Sequence, residues 1–203
     1  MKPLVAVEGA TVVYGTRTIL DKRVTAGERI GVEGRNGGGK TTMVEVLAGL
    51  REPDSGRVIR TNDVTLHCVS QSHDESIAHL TLAEFLFGGD ASHVWASKPL
   101  IREVLDGLIG GTTASSYPHG LTTSMSAMSG GQRRKAELAK ALIQDTDVLI
   151  LDEPTNHLEI EAIDWLAGFI TRRRGATVLV THDRWFLDAC CTSTWEVVDG
   201  EVH

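Results

Sequence analysis

Nowhere in this chain of 203 residues do apolar residues continue for the ~18 positions that a membrane-spanning helix needs. The opening Met1-Lys2-Pro3-Leu4 has no apolar leader region either, so a cytoplasmic protein is expected, neither exported nor inserted in a membrane. Cysteine is scarce: Cys68 and the adjacent Cys190 and Cys191 make an odd count, without metal-ligand spacing. Idle or buried thiols in a reducing compartment account for them. Basic excess is missing too. Twenty Lys and Arg against 27 Asp and Glu leave a formal charge of -7, which excludes a domain that grips nucleic-acid backbone with its whole surface, although not a local basic patch. No repeat, low-complexity tract or linker divides the chain, and its apolar share of 41% is ordinary for a folded domain.

What is present is an alternation of β-type runs and helical patterns, which points to an α/β domain with a mostly parallel sheet. Strands are expected at 4–8, 29–32, 64–69, 148–151, 177–181 and 194–198. A helix follows the first glycine-rich loop, with Met43, Val44, Val46, Leu47 and Leu50 on one buried face. A second covers about 158–172, with Ala162, Ile163, Leu166, Phe169 and Ile170 as its apolar stripe. Residues 72–128 differ in being rich in His, Ser, Thr and Gly, with helices expected at 82–87 and 100–109 and a loop around 112–120. The expectation is one domain over 1–203, with a core of about 1–71 and 145–203 and an inserted helical subdomain of about 72–144.

The run Gly34-Arg35-Asn36-Gly37-Gly38-Gly39-Lys40-Thr41-Thr42 is a full match to a phosphate-binding loop between a predicted strand and a predicted helix. Glycines let backbone N–H groups approach phosphate oxygens, and the helix that follows adds its positive end. Lys40 supplies a point charge for the terminal phosphates, while the Thr41 hydroxyl can reach Mg²⁺. Downstream, the apolar run 148–151 ends in two adjacent acids, Asp152 and Glu153. A strand delivering Asp152 to its C-terminal end suits a carboxylate that holds Mg²⁺, directly or through water. Glu153 can then accept a proton from an attacking water as general base. His182 follows another β run in Thr181-His182-Asp183 and is expected at the γ-phosphate.

In this order the motifs resemble the nucleotide-binding domain of ATP-binding cassette (ABC) proteins, over nearly the whole chain. The resemblance implies a P-loop NTPase with a RecA-like core, a mostly parallel sheet with additional antiparallel strands, that binds ATP and Mg²⁺ and hydrolyses ATP. It implies that Gln71 is the Q-loop glutamine, sensing Mg²⁺ and water, and that Tyr14 stacks on adenine. Ser129-Gly130-Gly131-Gln132 would be the signature motif, with Met128 in place of the usual Leu. In this family that motif closes over ATP held by a second cassette, so one copy contains two half-sites and no complete site. Directly after it, Arg133, Arg134 and Lys135 oppose the dipole of their helix. Either an anion lies nearby, a nucleotide phosphate or an acidic partner, or the three side chains are solvated.

Thr155-Asn156-His157-Leu158 is similar to the ABC-F branch, soluble factors that act on ribosomes, and so is the run Thr181-His182-Asp183-Arg184-Trp185-Phe186-Leu187. Ile163-Asp164-Trp165-Leu166 further resembles the first cassette of the Uup-like branch. This implies a translation, ribosome-associated or antibiotic-resistance role, with a paired cassette and a ribosome as partners. The competing expectation is the ATP-binding subunit of a membrane transporter, partnered by permease chains. Three departures stand against the ABC-F pattern: one cassette ending at His203 without the usual interdomain linker, a 72–128 segment too short for an added arm, and Glu159 where that pattern usually has Asp.

Overall fold

The computed structural model describes residues 3–14, 16–70, 75–88, 95–198 and 201–203. Among them the chain forms β1 (Val5–Tyr14), β2 (Thr16–Val24), β3 (Arg29–Gly34), α1 (Lys40–Ala48), β4 (Ser55–Arg60) and β5 (Leu66–Val69). Next come α2 (Leu82–Phe87), α3 (Pro99–Leu108), α4 (Gly130–Ile143), β6 (Val148–Asp152) and α5 (Ile160–Arg172). β7 (Ala176–Val180), α6 (Arg184–Cys190), β8 (Ser193–Val198) and β9 (Glu201–Val202) complete the order. The described strands make one sheet, β4-β1-β2-β9-β8-β3-β7-β6-β5. From β8 to β5 the neighbours are parallel, while β1 pairs antiparallel with β2 and β4. This is the expected P-loop architecture.

Two compact units divide the chain: Met1–Ser70, Thr146–Pro154 and Ala167–His203 form one, and Gln71–Asp145 with Thr155–Leu166 form the other. In the first, β6 and β7 are buried at every residue. Strands covered on both faces need no polar alternation, which is why they read in the sequence as continuous apolar runs. Met43, Val44, Val46 and Leu47 of α1 pack into the same core as Val148, Ile150 and Val178. Leu50 does not join them: it is 67% exposed. The helix ends at Gly49, whose left-handed φ of 73° turns the chain away one residue before Leu50. At the other side of the core, Asp147 accepts hydrogen bonds from the Thr65 backbone N–H and hydroxyl, both at 2.8 Å, pinning the start of β5 to β6.

The parallel strands lie within two residues of their expected limits, but β2, β4 and β9 were not anticipated. β2 reads Thr-Arg-Thr-Ile-Leu-Asp-Lys-Arg-Val and β4 reads Ser-Gly-Arg-Val-Ile-Arg. β4 is an edge strand whose residues are exposed apart from the partly buried Val58. Antiparallel wings with a solvated face carry charges where a core strand carries Val and Ile.

The helical unit has its own local logic. Thr81 caps α2 in a reciprocal box with Glu84. α3 starts at Pro99 and buries Ile101, Val104, Leu105 and Leu108, a stripe at helical spacing. Gly107 of α3 lies against the Trp165 indole, so closely that an added Cβ would overlap the ring.

Candidate functional site

The register of three neighbouring strands brings the predicted residues of the sheet unit to one edge. Val32 of β3 and Asp152 of β6 both pair with Val180 of β7, from opposite sides. β6 and β7 end at this row, and β3 runs two residues past it. Gly34, Glu153 and His182 therefore emerge side by side at the carboxyl end of the sheet, where ligands of such folds bind. The 9-residue α1 starts there at Lys40.

Gly39 precedes α1 with φ 100° and no side-chain cap, and no acid occupies the first turn. The N–H groups of that turn are left without intrahelical partners, and an anion is what satisfies them. Gly37, at φ 75°, supplies the second left-handed turn of the loop. Lys40 is 8% exposed and folds back, its Nζ donating to the carbonyl oxygens of Gly34 at 2.7 Å and Arg35 at 3.1 Å. Burial lowers its pKa from the ordinary lysine value, while the charges of Glu153 and Asp152 oppose that shift. Thr41 is exposed and Thr42 half-buried on the same turn.

Asp152 is 1% exposed and Glu153 6%. Glu153 sits at φ 49°, a left-handed conformation unusual for a residue with a long side chain. Its N–H donates to the Val180 carbonyl at 2.6 Å, locking it to the end of β7. His182 Nε2 approaches Glu153 Oε1 to 3.5 Å, with the imidazole half exposed. Thr181, Asn36, Arg35, Gly34 and His182 line an open pocket of about 490 Å³ at this edge, together with Arg184, which sequence reasoning had not marked as a site residue. Asp183 accepts from the Phe186 N–H at 3.1 Å and so starts α6, another element the sequence did not announce.

No group of three or more His, Cys, Asp or Glu side chains suited to a metal occurs among the described residues. Mg²⁺ does not require such a group, because the ion keeps water and phosphate oxygens and takes only one or two protein ligands. One buried carboxylate, Asp152, and one hydroxyl, Thr41, are a suitable donor pair, and Lys40 adds positive charge for the phosphates.

Ser129, Gly130, Gly131 and Gln132 belong to the helical unit. Ser129 caps α4: its Oγ accepts from the Gln132 N–H at 3.2 Å, and its N–H donates to Gln132 Oε1 at 3.0 Å. Capping uses a lone pair of the hydroxyl and leaves its proton to donate. The Gln132 side-chain amide also donates to the Ser116 carbonyl, and the Gln132 backbone carbonyl accepts from the Tyr117 hydroxyl, both at 2.8 Å. Burial pushes the Tyr117 hydroxyl pKa up, with the Glu159 charge adding to it. Tyr117 was not singled out from the sequence; a lone Tyr in a Gly- and Ser-rich loop was its signal.

The cations after the signature are not solvated. Arg133 and Arg134 approach Glu137 at 3.7 and 3.5 Å, and Lys135 Nζ meets Glu159 Oε2 at 2.5 Å. Acids of the chain itself offset the helix-dipole conflict. Gln71 lies outside the described residues, and the backbone of Tyr14 ends β1 while its side chain lies outside them. No described helix is long and apolar enough to cross a membrane.

Comparison with known proteins agrees with this geometry. Residues 19–156 match the ABC transporter family. The chain is 31% identical to the ATP-binding protein Uup of Caulobacter vibrioides, over 95% of this chain and 32% of that protein. It is also 31% identical to the energy-dependent translational throttle protein EttA of Haemophilus influenzae, over 98% of this chain and 36% of that one. It thus spans about a third of the length of these relatives. Among solved structures, the archaeal ribosome recycling factor aABCE1, in complex with the ribosomal stalk protein aP1, superposes with a TM-score of 0.82 at 26% identity, over 99% of this chain and 39% of that one.

Proposed function

The chain belongs to the ABC transporter family of ATP-binding domains, and we propose that it hydrolyses ATP as one cassette of an ABC-F-type protein working on the ribosome in the cytoplasm. The observation that carries the hydrolytic reading is the buried Glu153 at the end of β6, 3.5 Å from His182 and on the same sheet edge as the phosphate loop. In this reading residues 1–203 are a single nucleotide-binding domain, whose helical subdomain comprises the expected 72–144 together with 155–166. Gly34, Asn36 and Gly37 to Thr42 cradle the phosphates, and Tyr14 stacks on adenine. Lys40 leaves the carbonyls of Gly34 and Arg35 to meet the terminal phosphates. Thr41, Asp152 and Gln71 would hold Mg²⁺, which would supply charge that offsets that of the phosphates. Glu153 takes the proton of the attacking water, the γ-phosphorus forms its bond to that water oxygen, and the bond to the β-phosphate oxygen breaks. His182 donates to the transferring group. Ser129 to Gln132 would serve the ATP of a second cassette, with the free hydroxyl proton of Ser129 and the α4 N-terminus as donors.

Thr155-Asn156-His157-Leu158 supports the ABC-F branch, as does the similarity to Uup and to a protein named for throttling translation. Glu153→Gln tests the chemistry. Removal of a general base lowers turnover on the order of 10²–10⁴-fold, and an ATP-dependent dimer should persist in the variant; parental turnover in it refutes the assignment. For the setting, ATP-dependent co-sedimentation with ribosomes is expected. Association with permease-bearing membranes instead would make the chain a transporter subunit.

A further inference from the structure

β4 stands at one edge of the sheet, with β1 as its neighbour among the described strands. Just beyond the strand, the Thr61 N–H donates to the Leu4 carbonyl at 3.0 Å. Antiparallel pairing alternates from that bond, so Ile59 and Arg57, opposite Ala6 and Glu8, turn their backbone groups toward β1. Val58 and Arg60 turn theirs outward. Natural edges of this kind are commonly closed by proline, lysine or shortness. β4 has six residues, neither Pro nor Lys, and its two charged residues are both arginine.

The side chains give this edge a charge preference. Arg57, whose side chain is 71% exposed, donates from Nε and Nη2 to Glu8 Oε2 at 2.9 and 2.7 Å, which leaves Nη1 for a further acceptor. Arg60 Nη2 donates at 3.0 Å to the carbonyl of Ala48, the last residue of α1. Together with Arg51 they line an open groove of about 600 Å³, in which Glu52 is the one acid among the described residues. In a chain with a formal charge of -7 the sign is locally reversed.

We propose that the β4 edge docks an extended acidic segment of a partner protein, which joins the sheet as a further strand. Its carboxylates stand three positions apart, one opposite Arg57 and one opposite Arg60, and an apolar residue faces the 41% exposed Ile59. A carboxylate on the free side of Arg57 continues the acid-base alternation that Glu8 begins. Two other occupants fit less well. Phosphates of a nucleic acid satisfy guanidiniums, but they offer only acceptors to an edge that presents carbonyls as well as N–H groups. A second copy of this chain, paired edge to edge, sets the same arginines against each other. The edge lies at the opposite end of α1 from the phosphate loop, so the inference does not depend on the hydrolytic reading.

Selection of random decapeptides on the whole chain tests the proposal, with each enriched peptide synthesised as selected and with its acids changed to amides. Enriched sequences should carry two acids three positions apart with no proline between them. Loss of either acid should weaken binding about tenfold, the scale of one charge-assisted hydrogen bond. The bound peptide should slow amide exchange at Val58 and Arg60, read by nuclear magnetic resonance, and leave Arg57 and Ile59, already turned to β1, nearly unchanged. Arg57→Glu should lose the acidic peptide and regain binding when the facing position is Lys; the amide peptides test the charge on the unaltered chain, whatever that variant does to folding. No enriched peptide, enriched peptides without acids, undiminished binding of the amide forms, or unslowed exchange at Val58 and Arg60 overturns the proposal. Binding of decauridylate at Arg57 and Arg60 with no peptide enriched overturns it in favour of a nucleic-acid site.

Discussion

Gly130 and Gly131 stand side by side at the start of α4, yet the structure assigns alanine opposite effects at the two positions. Nothing lies within 4 Å of a Cβ built on Gly130, whereas one built on Gly131 would meet the His157 carbonyl at 2.9 Å. Carbon and oxygen need about 0.3–0.5 Å more than that, and the obstacle is backbone held at φ 64°, so it gives way poorly. Overpacking of this kind costs about 1–3 kcal/mol. For a chain of this length 1 kcal/mol corresponds to about 2–4 °C in Tm. Gly131→Ala should therefore melt about 2–12 °C below the parent. Gly130→Ala should melt at or slightly above it, because alanine restricts the unfolded chain and favours helix by up to about 0.5 kcal/mol. Differential scanning fluorimetry on the two variants reads the difference, with circular dichroism to confirm parental helix content. ATP turnover should separate them in the other direction: Gly130→Ala keeps stability but adds a methyl to the face that the proposed function offers to a second cassette's phosphates, so under that proposal hydrolysis falls without a loss of Tm. Equal Tm values for the two variants would refute the packing of α4 on the 155–159 loop.

Two other substitutions probe each unit separately. Gly107→Ala should destabilise by about 2–3 kcal/mol through collision with the Trp165 indole, read as a lower urea midpoint, and Gly107→Ala combined with Trp165→Leu should regain part of it. Asp147 has its carboxyl pKa held low chiefly by the Thr65 backbone hydrogen bond. Its folded-state pKa is below the unfolded value, so its contribution is complete above about pH 4 and disappears as pH falls through the folded value. Asp147→Asn should cost about 1 kcal/mol at pH 7 and flatten the stability loss of the parent as the pH falls below about 4, as followed by urea titrations through the acid range.

Chemistry was more legible than packing. Glycine, lysine and paired acids at fixed spacing have few other uses, so the phosphate loop, Asp152, Glu153 and His182 stood out as candidates in the sequence, and register places them at one edge of the sheet. The parallel strands were legible because total burial makes them apolar at every position. The wing strands were not, since Arg57 and Arg60 on β4 look like loop residues until their neighbours are known. Leu50 fits the helical spacing, but Gly49 ends the helix before that spacing can apply. The three cations after the signature showed a conflict with the helix dipole but not its resolution. Glu159, which answers Lys135, lies 24 positions later in the sequence, and only the folded chain places it opposite.

The helical unit consists of two separate stretches of sequence, and the chain enters and leaves it twice, at Ser70/Gln71 and Asp145/Thr146, then at Pro154/Thr155 and Leu166/Ala167. A single crossover that exchanged only the longer stretch for one from a related gene would bring in a foreign α4 while retaining the resident 155–166 segment. The newcomer would have to match Lys135 to Glu159, Gly107 to Trp165 and Gly131 to the His157 carbonyl at once. These three matches make the short stretch a lock on inheritance: chimaeras of this domain should fold when both stretches travel together and fail when they are parted, unless the donor's longer stretch carries the same three partners.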